Sequence, residues 1–320
     1  TRFFGSGAYI NGGCISNCVF KHNTTDGSGV PLYVDGGTVV ACQIVSNVSY
    51  KSGVTVAGPG LVERCVISDN RASSATPGAT LSHASAVLRN CIIVRNDARN
   101  AEDSYAPAGG GLRLTAGMVE NCTIADNLAA GGGDGVYMTG GSISNCIVYH
   151  NGRGLYGRDN RSIIRTGGTI AYSCIMPLSP GMGNTDADPC LADRAAGDYR
   201  LLPGSAAIDS GANQAWMAAG VDLAGSPRVR NSIVDMGAYE AEAVTSGAFR
   251  CGFSALTNDG FMSLNAVLVA GLAGTNTAAT WFGWDFDGNG AFDRTGPGLA
   301  VVTNLYGPGL YSVRLAVSNT

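Results

Sequence analysis

Residues 120–127 read Glu-Asn-Cys-Thr-Ile-Ala-Asp-Asn, and five other segments of the chain repeat this pattern. In each segment an aliphatic or aromatic residue follows the cysteine by two positions, and an asparagine follows it by five. The six pairs are Cys18 with Asn23, Cys42 with Asn47, Cys65 with Asn70, Cys91 with Asn96, Cys122 with Asn127 and Cys146 with Asn151. A seventh cysteine, Cys174, keeps the start of the pattern and lacks the asparagine. Regular recurrence at 23 to 31 residues predicts a chain built from repeated coils.

One repeat is too short to bury an apolar face by itself. Most repeats also carry a glycine-led segment with a period of two, as in Gly111-Leu-Arg-Leu and Gly135-Val-Tyr-Met. Stacked parallel strands bury such alternate residues in one continuous core. We therefore predict a β-solenoid over residues 1–178, with about eight or more coils in the whole chain.

The cysteines and asparagines have different expected places in a coil. Cysteine is among the residue types most often buried, and the alternation predicts that Cys42, Cys65, Cys91, Cys122 and Cys146 point inward. Their Cβ vectors run parallel in stacked strands, which disfavours disulfides. The asparagines fall where the strand ends and the chain bends, a place where Asn tolerates left-handed or bridge backbone and can bond backbone groups. Stacking of the coils would align them into an amide ladder.

The repeated N-C-x-I-x-x-N unit with glycine-rich turns, across residues 5–178, resembles the right-handed parallel β-helix repeats of bacterial surface proteins. The resemblance implies a secreted or cell-surface location. It is specific for the fold and says little about chemistry.

Residues 179–243 resemble the segment called a choice-of-anchor Q domain. The resemblance rests on Asp198-Tyr-Arg-Leu, Ser205-Ala-Ala-Ile-Asp-Ser-Gly, Asp222-Leu-Ala-Gly-Ser-Pro-Arg and Asp235-Met-Gly-Ala-Tyr-Glu. It implies that this segment forms the last coils and closes the C-terminal end of the solenoid. A solenoid needs such a cap because an open coil presents unpaired strand edges.

Residues 244–320 resemble a polycystic-kidney-disease (PKD) domain, through Trp284-Asp-Phe-Asp-Gly-Asn-Gly and Tyr306-Gly-Pro-Gly-Leu-Tyr-Ser-Val-Arg-Leu-Ala-Val. The resemblance implies an immunoglobulin-like β-sandwich, which serves as a spacer or binding module in large extracellular proteins. The whole chain is thus expected to be all-β, a right-handed parallel β-helix followed by a β-sandwich.

Composition agrees with an all-β chain and excludes some partners. The chain contains 47 glycines, and only 14% of its residues are charged, which suits short strands and tight turns. Its arginines are scattered, and its only lysines are Lys21 and Lys51. Without a cluster to neutralise phosphates, nucleic acid is a poor partner. No apolar run is long enough to predict a membrane span.

The cysteines outside the repeat leave one candidate disulfide. Of ten cysteines, Cys14, Cys190 and Cys251 lie outside the repeated pattern, and Cys190 with Cys251 is a possible pair. The chain has no C-x-x-C motif, which argues against a cysteine metal site.

Enzymatic candidates lie in the longest insertion, Asn96–Gly110. Parallel β-helices include polysaccharide lyases and glycoside hydrolases, which need clustered carboxylates. The insertion supplies Glu102 and Asp103, and Arg113 follows it. The alternative is an ordinary solvated loop.

An exposed stripe is a candidate ligand-binding surface. Tyr137 and Tyr156 are expected at one outward position of successive coils, with Arg113 one coil earlier. Aromatic and guanidinium groups stack on sugar rings, although tyrosines also stack on each other between coils. The outward series is expected to run through Pro31, Thr55, Arg113 and Tyr137.

The loop from Asp285 to Asp293 is a candidate calcium site. With Asp285 as position 1 of a calcium loop, Asp287 is at 3, Asn289 at 5 and Asp293 at 9. Position 12 is Gly296 rather than the usual glutamate, so weak Ca²⁺ binding is expected. The alternative is a tight turn whose Asp and Asn side chains bond their own backbone.

Together these features predict an extracellular structural or adhesive module of a larger bacterial surface protein. Its expected partners are extracellular glycans or other copies of a surface assembly. The alternative is a polysaccharide lyase or glycoside hydrolase of the parallel β-helix type. No carboxylates recur at matched positions of successive repeats, which favours the first interpretation.

Overall fold

A computed structural model of the chain shows an all-β protein. It describes residues 5–25, 29–73, 76–98, 109–129, 132–152, 162–241, 250–255, 264–273, 281–307, 311 and 313–318. The chain divides into two compact units, one of residues 1–187 with 209–240 and the other of residues 188–208 with 241–320.

The first unit contains a parallel β-solenoid of about 6 turns, which confirms the solenoid and gives fewer coils than the sequence predicts. Its largest sheet has 12 strands and joins two columns through the long strand Val30–Val40, which also pairs with Gly5–Ser16. The first column continues through Val54–Val56, Ala79–Leu81, Leu112–Leu114, Val136–Met138 and Ile163–Arg165. The second column continues through Gly60–Glu63, Val87–Arg89, Met118–Glu120, Ser142–Ser144 and Thr169–Ala171.

Two smaller parallel sheets contain the other strands of the coils. A seven-stranded sheet contains Val19–Lys21, Gln43–Val45, Val66–Ser68, Ile92–Val94, Thr123–Ala125, Ile147–Tyr149 and Cys174–Ile175. A four-stranded sheet contains Val48–Ser49, Arg71–Ala72, Asp97–Ala98 and Leu128–Ala129.

The strands are short because left-handed residues interrupt the chain twice in each coil. One precedes each cysteine and the other precedes each asparagine, with φ between 49° and 58°. They are Asn17, Ala41, Arg64, Asn90, Asn121 and Asn145 at the first corner and His22, Ser46, Asp69, Arg95, Asp126 and His150 at the second. The left-handed residue is the one before each repeat asparagine rather than the asparagine itself, whereas the expected bonding of the asparagines to backbone groups is present. Asn, Asp and His are the residue types that most readily adopt it.

Alternation along the strands builds the core. In the coil of Cys122, the inward side chains are Leu112, Leu114, Val119, Cys122 and Ile124. All five are fully buried in one apolar cluster that runs through the solenoid. Burial of each large aliphatic side chain contributes roughly 1.5–3 kcal/mol.

The last coil differs from the sequence alignment by one residue. Cys174 pairs with Ile147 rather than with Cys146. Ser173 takes the cysteine position instead, since its hydroxyl accepts the backbone N–H of Cys146 at 3.1 Å. Placing Cys174 in the cysteine column is therefore wrong.

The segment expected to form the last coils divides between the two units. Residues 209–240, here called the clasp, lie along the side of the solenoid rather than adding coils to its end. Gly237 lies against Ile147, and the backbone N–H of Ala238 donates to the Thr123 hydroxyl at 3.1 Å. Thr123 and Ile147 face out of the seven-stranded sheet, yet the clasp buries both. The clasp contains one 3₁₀ helix, Ala215–Ala218.

The second unit consists of small antiparallel sheets. Leu191–Asp193 pairs with Asp198–Leu201. Two three-stranded sheets contain Arg250–Ala255, Leu264–Ala273 and Val301–Tyr306 in one, and Trp281–Asp285, Arg294–Gly296 and Arg314–Ser318 in the other. Leu268 and Val302 from the first sheet and Phe282 and Trp284 from the second belong to one apolar cluster.

Among the described residues, no helix has the length and apolar character to cross a membrane.

Candidate functional site

The six repeat asparagines form a hydrogen-bonded column along the solenoid. The Asn127 side-chain oxygen accepts both the backbone N–H and the side-chain Nδ2 of Asn96, at 3.0 and 2.9 Å. Asn127 Nδ2 in turn donates to the Ile93 carbonyl at 2.8 Å and to the Asn151 side-chain oxygen at 3.0 Å. A buried amide with all these partners holds adjacent coils in register.

The cysteines form a second hydrogen-bonded column. Cys65 Sγ accepts the backbone N–H of Cys42 at 3.4 Å, and its thiol donates to the Glu63 carbonyl at 3.3 Å. The Cys65 N–H donates to Cys91 Sγ at 3.3 Å. Burial raises the pKa of the Cys91 thiol well above its ordinary value, which keeps its proton available for donation.

Burial follows position in the cysteine column. Cys42, Cys65, Cys91, Cys122 and Cys146 are buried and form no disulfide, whereas Cys18 in the first coil is exposed. The thiol of Cys190 donates to the Asp188 carbonyl at 3.5 Å. The candidate bond from Cys190 to Cys251 lies outside the described side chains.

An outward row of side chains crosses the first column of the large sheet. Strand pairing places Tyr9, Tyr33, Thr55, Thr80, Arg113 and Tyr137 in register on successive strands. We call these six residues the outer stripe. At one end the rings of Tyr9 and Tyr33 stack with centroids 5.8 Å apart. At the other end the Arg113 guanidinium lies 5.5 Å from the centre of the Tyr137 ring.

Several expected stripe and site residues occupy other places. Tyr33 holds the outward position expected for Pro31, which is buried. Ile164 pairs with Tyr137 and so occupies the position expected for Tyr156. Tyr156 itself, with the catalytic candidates Glu102 and Asp103, lies outside the described residues. The structure therefore brings Arg113 and Tyr137 together and leaves the catalytic candidates undescribed.

A buried hydrogen-bonded pair, Arg228 and Glu240, anchors the clasp, and sequence reasoning missed it. The Arg228 Nε donates to Glu240 at 2.9 Å, and its Nη1 donates to the side chain of Asn90 in the solenoid at 3.2 Å. Both side chains are at most 1% exposed. Burial raises the pKa of the Glu240 carboxyl to about 8, and Asp235 adds to this, although Arg228 acts in the opposite direction.

The left-handed asparagines before the cysteines receive the clasp. Asn90 Nδ2 donates to the Val221 carbonyl at 2.9 Å, and Asn121 Nδ2 donates to the Asp235 carbonyl at 3.1 Å. Asn145 Nδ2 donates to the Ala212 carbonyl at 2.9 Å, and Asn145 Oδ1 accepts the Ala212 N–H at 2.7 Å. Asparagine directly precedes four of the repeat cysteines, and the last three of these asparagines contact the clasp, so this pattern was the available sequence signal for the docking surface.

The candidate calcium loop gathers its carboxylates as the spacing predicts. Side-chain oxygens of Asp285, Asp287 and Asp293 lie within 4.8 Å of one another. Asp285 is buried, and its two oxygens accept the N–H groups of Gly288 and Gly290 at 2.7 and 2.9 Å. Burial acts to raise the pKa of Asp285, but these two N–H groups, together with hydrogen bonds from Asp287 and Asn289, lower that pKa overall.

The loop also has the hydrogen bonds of the alternative tight turn. Asp287 and Asn289 each accept a backbone N–H two residues further on, at 3.0 and 2.8 Å. Asp293 accepts the N–H of Phe286 at 2.7 Å. Calcium binding at this loop stays a prediction, since such turns form without metal.

No family model matches the chain, and neither the curated proteins nor the solved structures contain a match to it. The resemblances to choice-of-anchor Q segments and PKD domains therefore rest on sequence motifs alone.

Proposed function

We propose that the chain is an extracellular structural or adhesive module of a larger bacterial surface protein, and that its outer stripe binds an extended glycan. The observation that carries the glycan proposal is the register of the stripe. Tyrosine rings and a guanidinium lie in one row on a scaffold held by two hydrogen-bonded columns. Aromatic faces and arginine are suited to sugar rings.

The composition of the stripe favours binding over cleavage. None of its six residues carries a carboxylate, whereas most glycoside hydrolases act with a pair of carboxyl groups. A secreted or cell-surface location follows from the resemblance to bacterial surface repeats.

We further infer three finer features of the fold. The coil is right-handed, because parallel crossover connections almost always are. Residues 179–243 correspond to a choice-of-anchor Q segment. Residues 244–320 form an immunoglobulin-like sandwich of the PKD type, which is supported by the apolar cluster that two antiparallel sheets share.

A glycan array probed with the full chain, combined with analysis of the products, tests the function. We expect retention on extended glycans without new reducing ends or unsaturated products. Tyr137→Ala and Tyr33→Ala should each weaken binding, and Tyr50→Ala, at an exposed tyrosine beyond the strand Val48–Ser49, should not. Cleavage of a glycan, or binding that ignores both stripe variants, would contradict the proposal.

A further inference from the structure

The second unit carries a pocket of about 350 Å³ beside the candidate calcium loop, lined by polar side chains and by Phe286 and Leu305. Side chains from both three-stranded sheets and from the loop line it. They include Asp287, Asp293, Arg294, Asn304, Tyr306 and Tyr311.

Tyr306 gives the pocket a buried donor that the fold does not use. The side chain is 9% exposed, and its hydroxyl has no hydrogen-bond partner among the described residues. Burial raises the pKa of this hydroxyl, a side-chain contact with Asn304 lowers it, and the charge of Asp293 raises it, with a rise overall. The Asn304 contact does not meet hydrogen-bond geometry, so the hydroxyl is left without a formed hydrogen bond. A buried hydroxyl in this state is uncommon in folded proteins and calls for water, an ion or a ligand to satisfy it.

Tyr311 adds an exposed aromatic surface at the pocket. Its ring centroid lies 4.6 Å from that of Tyr306, at an angle of 53°. The Tyr311 side chain is 46% exposed. A half-exposed ring beside polar groups is suited to stacking against the apolar face of a sugar ring.

The charged side chains of the pocket favour neutral or cationic sugars over anionic ones. Asp287 and Asp293 supply carboxylates that accept hydrogen bonds from hydroxyl groups, and Arg294 supplies donors. The buried Asp285 lies within 4.8 Å of both carboxylates, so acidic groups outnumber the arginine. Such a pocket repels uronic acids and other anionic sugars.

We infer that this pocket binds a neutral or amino sugar, with the Tyr306 hydroxyl donating to a sugar oxygen and the Tyr311 ring stacking on the sugar face. The inference goes beyond the proposed function, because the pocket lies in the second unit and shares no residue with the outer stripe.

Isothermal titration of the full chain with cellotriose, mannotriose, lactose and chitosan trisaccharide tests the site, with trigalacturonic acid as the anionic comparison. Titrations are run with and without calcium chloride, because Asp287 and Asp293 also belong to the candidate calcium loop. Tyr306→Phe removes only the unpartnered hydroxyl. It should weaken binding of a neutral or amino sugar about tenfold, as expected for one lost hydrogen bond, without lowering the melting temperature. Tyr311→Ala, at an exposed ring, should weaken binding as well.

Tyr149→Phe is the matched control, because it removes a tyrosine hydroxyl that donates to the Asp186 carbonyl in the first unit, outside both the pocket and the outer stripe. Loss of affinity in Tyr306→Phe and Tyr311→Ala but not in Tyr149→Phe supports the site. If Tyr137→Ala weakens binding and the two pocket variants do not, the pocket is excluded and the outer stripe stands. Equal binding of trigalacturonic acid, or no binding of any probe at millimolar concentration, overturns the pocket inference.

Discussion

At the scale of single residues, two types of side chain stabilise the solenoid, and each type both donates and accepts hydrogen bonds between coils. Asparagine does so through its amide and cysteine through its thiol. Ser173 shows that the requirement is chemical rather than specific to sulfur. Its hydroxyl accepts the N–H of Cys146 and donates to the Ala171 carbonyl at 2.9 Å.

Replacing Asn127 tests the asparagine column. We expect Asn127→Leu to lower the free energy of unfolding by about 1–3 kcal/mol, because the buried N–H of Asn96 and the Ile93 carbonyl would lose their partner. Asn127→Asp should also destabilise, since it places a charge among neutral amides. Urea denaturation of each variant measures the effect, with Asn231→Leu at an exposed asparagine as control. Unchanged midpoints for both Asn127 variants would mean that the column is not structural.

The residue pattern predicted the repeated coils correctly but not the strand register of the last coil. The inward alternation of Cys122 and Ile124 is readable because a buried strand repeats every two residues. The place of Cys174 is not readable from cysteines alone, since serine makes the same two hydrogen bonds and shifts the alignment by one. The expected place of Tyr156 beside Tyr137 is taken by Ile164 of the strand Ile163–Arg165, and Tyr156 itself lies outside the described residues.

At the scale of elements, the clasp shows why its sequence motifs did not predict that it binds to the side of the solenoid. Arg228 meets Asn90 across 138 positions of sequence, and no local pattern reports such a contact. The motif containing Asp235 could be read from the sequence only as a resemblance to a choice-of-anchor Q segment. The clasp lies on the side of the coils because it is bound there by Asn90, Asn121 and Asn145. These residues have left-handed backbone, and their side chains hydrogen-bond to the clasp rather than pack in the apolar core.

The Arg228–Glu240 pair predicts a pH dependence for the clasp. The carboxyl pKa is about 8 in the folded protein and roughly 4.3 in an unfolded chain. Between these values the folded state holds a proton that the unfolded state has released, so this group's contribution to stability falls as pH rises. We expect the free energy of unfolding of the wild type, minus that of Glu240→Gln, to decrease from pH 5 to pH 8 by up to about 1.4 kcal/mol per pH unit.

Chemical denaturation of the wild type and Glu240→Gln at each pH gives this difference. Glutamine keeps the shape of the side chain and does not titrate, so other ionisable groups cancel. A stability difference that is constant or rises with pH would show that Glu240 stays ionised beside Arg228 throughout this range.

At the scale of the whole molecule, the chain contains two compact units that differ in what holds them together. The first unit relies on parallel strands and two side-chain columns that run through successive coils. The second unit relies on small antiparallel sheets around Trp284, whose Nε1–H donates to the Leu299 carbonyl at 2.8 Å. A ligand of one unit should therefore stabilise that unit alone.

Calcium provides such a test on the full chain. If the loop of Asp285, Asp287, Asn289 and Asp293 binds Ca²⁺, millimolar calcium chloride should raise the melting temperature of the second unit and leave the solenoid unchanged. Two of the three tryptophans lie in the strand Trp281–Asp285 and the third, Trp216, lies in the clasp, so intrinsic fluorescence reports the second unit in a Trp216→Phe background. Circular dichroism follows the solenoid strands.

Asp287→Ala should remove the shift, because Asp287 is exposed and its carboxylate lies in the acidic cluster. Asp193→Ala, which alters an exposed aspartate in another turn of the second unit, should keep it. A melting temperature that does not respond to millimolar calcium would leave only a tight turn, closed by its own backbone hydrogen bonds.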